Sequence, residues 1–459
     1  MKKSRKNKMT LLISIFFFLP LLLRLSTAAP PGPRGYLLNC GASQLAPKVT
    51  VGSLQYITDE GFISVGNITK LPDPHLVPIL STLRYFPDKS ARKYCYMIPV
   101  LKGGKYMVRT TYYYGGYDGG KTPPVFDQII EGTKWSVVNT TDDYASGLSS
   151  FYEIVVVAMG KMMSVCLARN HHTDPSSSPF ISALELEYLD DSVYNTTDFK
   201  NHALSLVARS SFGPEADVIG FPDDVFNRQW HPFLDQHPVV TSHVNITPST
   251  FWNLPPTKVF YNGMTTSRGK SLKFNWPPFP LPEAYYYISL YFQDNRSPSL
   301  YSWRVFSVVI NGKTFFSNLN VSANGVSVYS ARWPLSGQTL LELIPADNMP
   351  VGPVISAGEI LQVFRLTGRT LTRDDIYFLI DDCNCVCSWL GNNKLSGIIP
   401  DIGSLKELRT LHLENNQFEG IIPHSLEKLP HIHEVFLQNN NNLKSKALEA
   451  LQKLGIHIE

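Results

Sequence analysis

The densest run of reactive residue types in the chain is Tyr112-Tyr113-Tyr114-Gly115-Gly116-Tyr117-Asp118-Gly119-Gly120-Lys121-Thr122. From Gly115 to Thr122 it meets the spacing of a phosphate-cradling loop, whose mechanism needs a helix directly afterwards to aim backbone amides at the phosphates. Pro123 and Pro124 follow instead, and the residue before a proline is pushed out of the helical region. The run therefore predicts a glycine-rich loop between strands and argues against nucleotide binding. What remains is aromatic. Tyr112, Tyr114 and Tyr117 with Asp118 are candidate ligand-binding residues, because sugar C–H faces stack on rings while hydroxyls bond to carboxylate or phenol. The competing reading makes the same tyrosines core and edge residues of a sandwich.

Other clusters carry less. Cys383-x-Cys385-x-Cys387 has neither the ligand spacing nor the second pair of a zinc site. It reads as a cysteine-rich junction. With Cys40, Cys95 and Cys166 the cysteines number six, an even count in an oxidising compartment whose connectivity stays open. Asp190-Asp191, Asp223-Asp224, Asp374-Asp375 and Asp381-Asp382 cannot form a hydrolase pair by themselves, since adjacent strand residues point to opposite faces. They read as solvated loop acids. The histidines His171, His172, His231, His237 and His243 lie in polar or proline-rich segments without ligand spacing or a nucleophile. No enzyme, metal or cofactor is expected.

The elements that hold these residues come from a duplication. Pro179-Phe180-Ile181-Ser182-Ala183-Leu184-Glu185-Leu186 recurs 174 positions later as Pro353-Val354-Ile355-Ser356-Ala357-Gly358-Glu359-Ile360. Phe126-Asp127-Gln128-Ile129-Ile130-Glu131-Gly132 recurs 180 positions later as Phe306-Ser307-Val308-Val309-Ile310-Asn311-Gly312. Two echoes in order at nearly one offset mean one domain fold built twice, since solenoid units run to only about 20–50 residues. The first copy spans 36–190 and the second 205–366, with the polar stretch 190–200 as their link. Strand-like runs such as Tyr106–Tyr112, Glu153–Val157, Tyr286–Phe292 and Val305–Ile310, separated by turn-formers including Asn311-Gly312, predict antiparallel β-sandwiches. The doubled Ile-Ser-Ala-x-Glu segment is expected to close each sandwich with its isoleucine inward.

Beyond a linker at 367–389, the character changes at about residue 390. Leu390 to Pro400 reappears as Leu413 to Pro423, and a third start follows at Leu437, so that Asn393, Asn416 and Asn440 stand 23 and 24 residues apart. That is leucine-rich-repeat spacing, assigned to 390–459. The asparagines should form a ladder on turn backbone. Leu443–Leu451 is expected to be helical, and an array this short should be marginally stable alone.

At the other end, Lys2, Lys3, Arg5, Lys6 and Lys8 precede an apolar run from Leu11 to Leu23 and small residues at Ser26–Ala29. This is the order of a secretory signal peptide over 1–29. The run is shorter than the roughly 20 residues a spanning helix needs, so cleavage is expected, the alternative being an uncleaved membrane anchor. The basic residues of this segment alone exceed the net charge of +3, which leaves no electrostatic case for nucleic acid. Sequons at Asn67, Asn139, Asn195, Asn245, Asn295 and Asn320 are candidate glycosylation sites on an exported, extracellular chain.

These residues resemble a known pattern. Tyr36-Leu37-Leu38-Asn39-Cys40-Gly41, Leu83-Arg84-Tyr85-Phe86-Pro87, Lys93-Tyr94-Cys95-Tyr96, Tyr112–Gly119, the doubled Ile-Ser-Ala-x-Glu, Asp223-Asp224-x-x-Asn227-Arg228-x-Trp230 and Leu254–Val259 resemble the plant malectin-like domain over about 36–366. With the repeats, the chain is similar to the ectodomain of malectin-like leucine-rich-repeat receptor kinases. It looks closest to their kinase-less relatives, the di-glucose-binding proteins with leucine-rich repeats. The resemblance implies a mainly β protein: two tandem malectin-like β-sandwiches followed by a short leucine-rich-repeat solenoid that looks truncated between Arg373 and Leu390. It implies a non-enzymatic recognition protein binding an oligosaccharide or cell-wall glycan. The alternative is a co-receptor or decoy that binds a peptide or receptor-kinase ectodomain.

Overall fold

The computed structural model describes residues 35–43, 48–89, 93–120, 122–213, 217–242, 246–297 and 303–366, with 387–389, 396–399, 402–403, 406, 408–440, 442–444 and 457–458 of the tail. The signal segment, His243, Asn245, Asp374-Asp375, Asp381-Asp382, Cys383, Cys385, Asn393 and residues 445–451 lie outside the described residues.

The two echoes mark equivalent hairpins. Val125–Ile130 pairs with Thr133–Asn139, and Trp303–Ile310 with Lys313–Ser322. The connecting Glu131-Gly132 and Asn311-Gly312 have φ of 48° and 77°, and 49° and 74°. Two consecutive positive φ values give the tight two-residue turn whose twist matches antiparallel strands. Both strands before the turn alternate buried and half-exposed residues, so each hairpin lays one face on a core.

Each copy is a sandwich. In the first, the outer sheet runs Lys93–Pro99, Met162–Arg169, Val125–Ile130, Thr133–Asn139; in the second, Leu272–Asn275, Leu340–Pro345, Trp303–Ile310, Lys313–Ser322. The cores are separate. Tyr96, Val108, Ile154, Leu167 and Leu184 belong to one, and Phe212, Trp276, Ile288, Leu290 and Leu343 to the other. Cys95 and Cys166 stand opposite one another in the first outer sheet and form a disulfide, which settles one pairing that spacing left open. Cys40 is a buried thiol.

The inner layer is shared. One sheet runs through Ala183–Leu189, Lys105–Tyr112, Ser150–Val157, His202–Phe212, Ala357–Arg365 and Leu281–Phe292. The copies join where Ile154 faces Ser205 and Val155 faces Leu204. Every residue of Lys105–Tyr112 is buried, because its second face packs on elements of the other copy. Met107, Val155, Leu189, Val193, Tyr194, Leu204, Tyr287 and Leu361 form that joint core.

One expectation is refined here and one corrected. The polar stretch 190–200 does run between the copies, largely exposed, but it is anchored: Val193 and Tyr194 are fully buried, and the Tyr194 hydroxyl donates to Glu359 at 2.6 Å. Tethering two sandwiches this tightly requires the tether itself to enter the joint core. In the tail, Asn442–Lys444 is a strand pairing with Gln417–Ile421, so the expected helix does not begin at Leu443. Parallel ladders Cys387–Trp389, Thr410–His412, Glu434–Phe436, His457–Ile458 and Ser396–Ile398, Gln417–Ile421, Asn442–Lys444 give the solenoid. Asn440 donates to the carbonyls of Leu413 and Leu437 at 2.9 Å each and accepts the Phe418 amide at 3.0 Å. Asn416 donates to the Leu413 carbonyl at 2.9 Å.

Candidate ligand-binding site

The glycine-rich loop leaves Lys105–Tyr112 and enters Val125–Ile130, a strand rather than a helix. Its glycines at 115, 116, 119 and 120 all have positive φ. A Cβ on Gly120 would stand 2.4 Å from the Tyr144 hydroxyl, so the loop is folded down onto that ring. The four predicted residues come together, but mostly inward. Tyr112 is buried and its hydroxyl donates to Gln128 Oε1 at 3.0 Å. Tyr114 is 2% exposed, its ring packed edge-on to Tyr117 and Tyr144 with centroids at 5.5 and 4.8 Å. Its hydroxyl donates to Asp118. Tyr117 lies against Tyr85 and Phe180, and its hydroxyl donates to the Ser178 carbonyl at 3.2 Å. Burial first, and then the Asp118 bond, pushes the Tyr114 phenol above its ordinary range. Asp118 is exposed. Rings that already cover one another offer no free face to a sugar.

The equivalent place in the second copy is filled differently. Asp294 is fully buried and takes Arg296 at 2.6 Å and Arg304 at 3.3 Å, while Arg304 also donates to Asn295 Oδ1 at 2.7 Å. Of the described sequons, Asn67, Asn139, Asn195 and Asn320 are exposed, whereas Asn295 is half-buried in this network.

An open site lies elsewhere on the second sandwich. A cleft of about 590 Å³ sits at its open rim, where Leu281–Phe292 begins and the Asn311-Gly312 turn approaches the end of Val326–Gly337. Ile310, Leu335 and Trp333 form its floor, and Glu283, Tyr285, Lys313 and Ser336 its rim. Tyr285 is 50% exposed, with the Arg332 guanidinium 4.6 Å from its ring centroid. Ligand sites are concave, mostly apolar and edged by a few polar groups, typically about 300–1,000 Å³. The four-residue aromatic motif drew attention to the first copy. The cleft has no comparable run, because its residues come from four segments.

The residues that sequence reasoning missed most completely are charged and buried. Glu185, Arg109, Glu153, Arg209 and Glu359 stand one per strand across five neighbouring strands of the shared sheet. Arg109 bonds Glu185 at 2.7 Å and Glu153 at 2.9 Å; Arg209 bonds Glu153 and Glu359, each at 2.8 Å. Glu185 and Glu359 are the glutamates of the doubled Ile-Ser-Ala-x-Glu. Burial alone would raise the Glu153 and Glu359 carboxyls, but the adjacent guanidiniums outweigh it and hold both below the usual range. Asp223-Asp224-x-x-Asn227-Arg228-x-Trp230 caps the row. Asp224, expected to be a solvated loop acid, is buried and accepts from Arg228 Nε at 2.9 Å and Trp230 Nε1 at 2.8 Å. A doublet in a tight turn can send one acid inward and the other out, and Asp223 does the latter. Among the described residues no group of three or more His, Cys, Asp or Glu is placed to hold a metal, and no helix is long and apolar enough to cross a membrane.

Two sandwiches fused through one sheet, followed by parallel repeats, define the class of fold. The chain belongs to the malectin-like domain family, whose model matches residues 38–363, and a leucine-rich-repeat model matches 407–429. A probable LRR receptor-like serine/threonine-protein kinase of Arabidopsis thaliana, At1g51810, is 27% identical over 91% of this chain and 49% of its own length. The receptor-like protein kinase At3g21340 of the same plant is 27% identical over 88% and 46%. The chain thus spans about half the length of the curated relatives it matches. The fold is similar to the crystal structure of the plant receptor-like kinase FER, with TM-score 0.59, 18% identity and coverage of 74% of this chain and 97% of that one. It also matches a complex of FER with the plant peptide RALF23 and LLG2, at TM-score 0.58, 19% identity and coverage of 74% and 97%. The ANXUR1 extracellular domain from Arabidopsis thaliana gives 0.58, 15%, and 72% and 97%.

Proposed function

We propose that this protein is an extracellular recognition module that binds an oligosaccharide through the rim cleft of its second sandwich rather than through the tyrosine cluster of its first. The observation that carries this reading is the half-exposed Tyr285 ring in a cleft that Trp333 also lines, with a carboxylate, an ammonium and a hydroxyl from Glu283, Lys313 and Ser336 around it. An apolar ring face with a few polar groups at its edge is what a pyranose needs. Calorimetric titration with cell-wall oligosaccharides tests it. Tyr285→Ala is expected to weaken binding at least tenfold, about 1.4 kcal/mol, and Asp118→Ala to leave it unchanged. Undiminished affinity in Tyr285→Ala, or no binding at millimolar ligand, overturns the reading.

A second reading, binding of a peptide or receptor ectodomain, is favoured by the closed state of the first-copy cluster and by the likeness to FER, which has been crystallised with RALF23 and LLG2. Capture from an apoplastic extract separates the two. Partners that disappear when residues 390–459 are removed support the protein-binding reading.

A further inference from the structure

Glu185 and Glu187 are two apart in Ala183–Leu189 and so share a face. That face meets the other copy. Asn227 Nδ2 donates to Glu185 Oε2 at 3.0 Å and to Glu187 Oε1 at 3.1 Å, while the Asn227 carbonyl accepts Arg109 Nη2 at 2.7 Å. One asparagine from the second copy thus clamps two carboxyls and a guanidinium of the first. The charges do not balance. Arg109 and Arg209 serve Glu153, Glu185 and Glu359, Arg228 is taken by Asp224, and the Tyr56 hydroxyl adds only a neutral donor to Glu185 at 3.0 Å. Glu187, 1% exposed, has no ion pair among the described residues. An unpaired buried carboxylate is far costlier than a neutral carboxyl.

We propose that Glu185, Glu187 and Asn227 form a proton-gated latch between the two sandwiches, closed while Glu187 holds its proton and loosened when it ionises. Burial, reinforced by the neighbouring Glu185, raises the Glu187 carboxyl from 4.5 to about 8, against the lowering pull of Asn227 and Arg109; Asp224 adds to the rise. The sign follows from linkage. Closed, Glu187 keeps its proton up to about pH 8; open and hydrated, it loses it near 4.5. The latch is therefore fully favoured below about 4.5, and opening gains roughly tenfold per pH unit until about 8, where the gain levels off. His231, which shares Arg109 with the pair and is held below its ordinary value by burial, Arg109 and Arg209, provides a control.

Hydrogen exchange of the whole chain, followed over residues 217–230 from pH 5 to 8.5 and corrected for intrinsic exchange, tests the latch. The unaltered protein should lose protection roughly tenfold per unit, and Glu187→Gln, which stays neutral and still accepts from Asn227, should be flat. Equal slopes in the two, or a slope abolished by His231→Gln, overturn the proposal. Should Glu187→Gln not fold, the infrared C=O stretch of a protonated carboxyl decides in the unaltered protein. It should persist at pH 7 and vanish through about pH 8; its absence at pH 7 overturns the latch.

Discussion

A buried guanidinium between two carboxylates is held by geometry that no other side chain reproduces. Arg109 reaches Glu185 through Nη1 and both Glu153 and the Asn227 carbonyl through Nη2. Removing it leaves Glu185 buried without its guanidinium and Glu153 with Arg209 alone, and breaking a buried pair from one side costs about 3–5 kcal/mol. Arg109→Ala should lower stability in urea by at least that much. Arg109→Lys should restore only part, because an ammonium lacks the planar fork. A loss below about 1 kcal/mol, the range of a surface pair, would show that the row carries little. The row was not legible in the sequence. The run Tyr106–Tyr112 alternates, which places Arg109 on the face that a lone sandwich turns to water. That face is covered only because the second copy packs on it, a fact of pairing across copies. The tyrosine cluster was legible as a cluster but not as a closed one, since what closes it, Tyr144 and Phe180, lies 30 and more residues away in sequence.

At the scale of elements, the hairpins and repeats were the most legible, because their determinants are local. Asn311-Gly312 announces its turn, and Glu131-Gly132 adopts the same backbone with a less favourable first residue. The asparagine ladder followed from spacing, and Asn416 and Asn440 make the expected bonds. Asn440→Ala would orphan the buried Phe418 amide and the Leu437 carbonyl, each worth about 1–3 kcal/mol when left unpaired, while the Leu413 carbonyl keeps Asn416. The tail should then unfold well below the sandwiches, seen as loss of exchange protection over 408–440 alone. Unchanged protection there would deny the ladder its role. The Cys95–Cys166 bond closes a separation of 71 residues, for which chain-entropy arguments give about 4 kcal/mol. Replacing both cysteines with serine should cost up to that amount in denaturant, with the loss confined to the first sandwich.

The whole molecule is where sequence and structure part furthest. A duplication at one offset suggests two beads on a polar string. Instead, His202–Phe212 pairs with a strand of each copy, and Val193, Tyr194 and Phe199 of the connecting segment enter the core. Because Arg209 bonds Glu153 of one copy and Glu359 of the other, neither sandwich can open without exposing the partner's buried charge. The pair should therefore melt as one unit, with calorimetric and van't Hoff enthalpies equal over the main transition. Arg209→Ala removes the cation that both copies share, leaves two carboxylates facing one another near the joint, and should split that transition in two, the sandwiches retaining their separate cores. Two transitions already present in the unaltered chain would mean that the shared sheet does not couple the copies, and the latch at Asn227 would then have nothing to release. A single transition that merely shifts downward in Arg209→Ala would instead place the coupling in the apolar joint core of Met107, Val155, Leu204 and Leu361. The charge row would then set the register between the copies without setting their cooperativity.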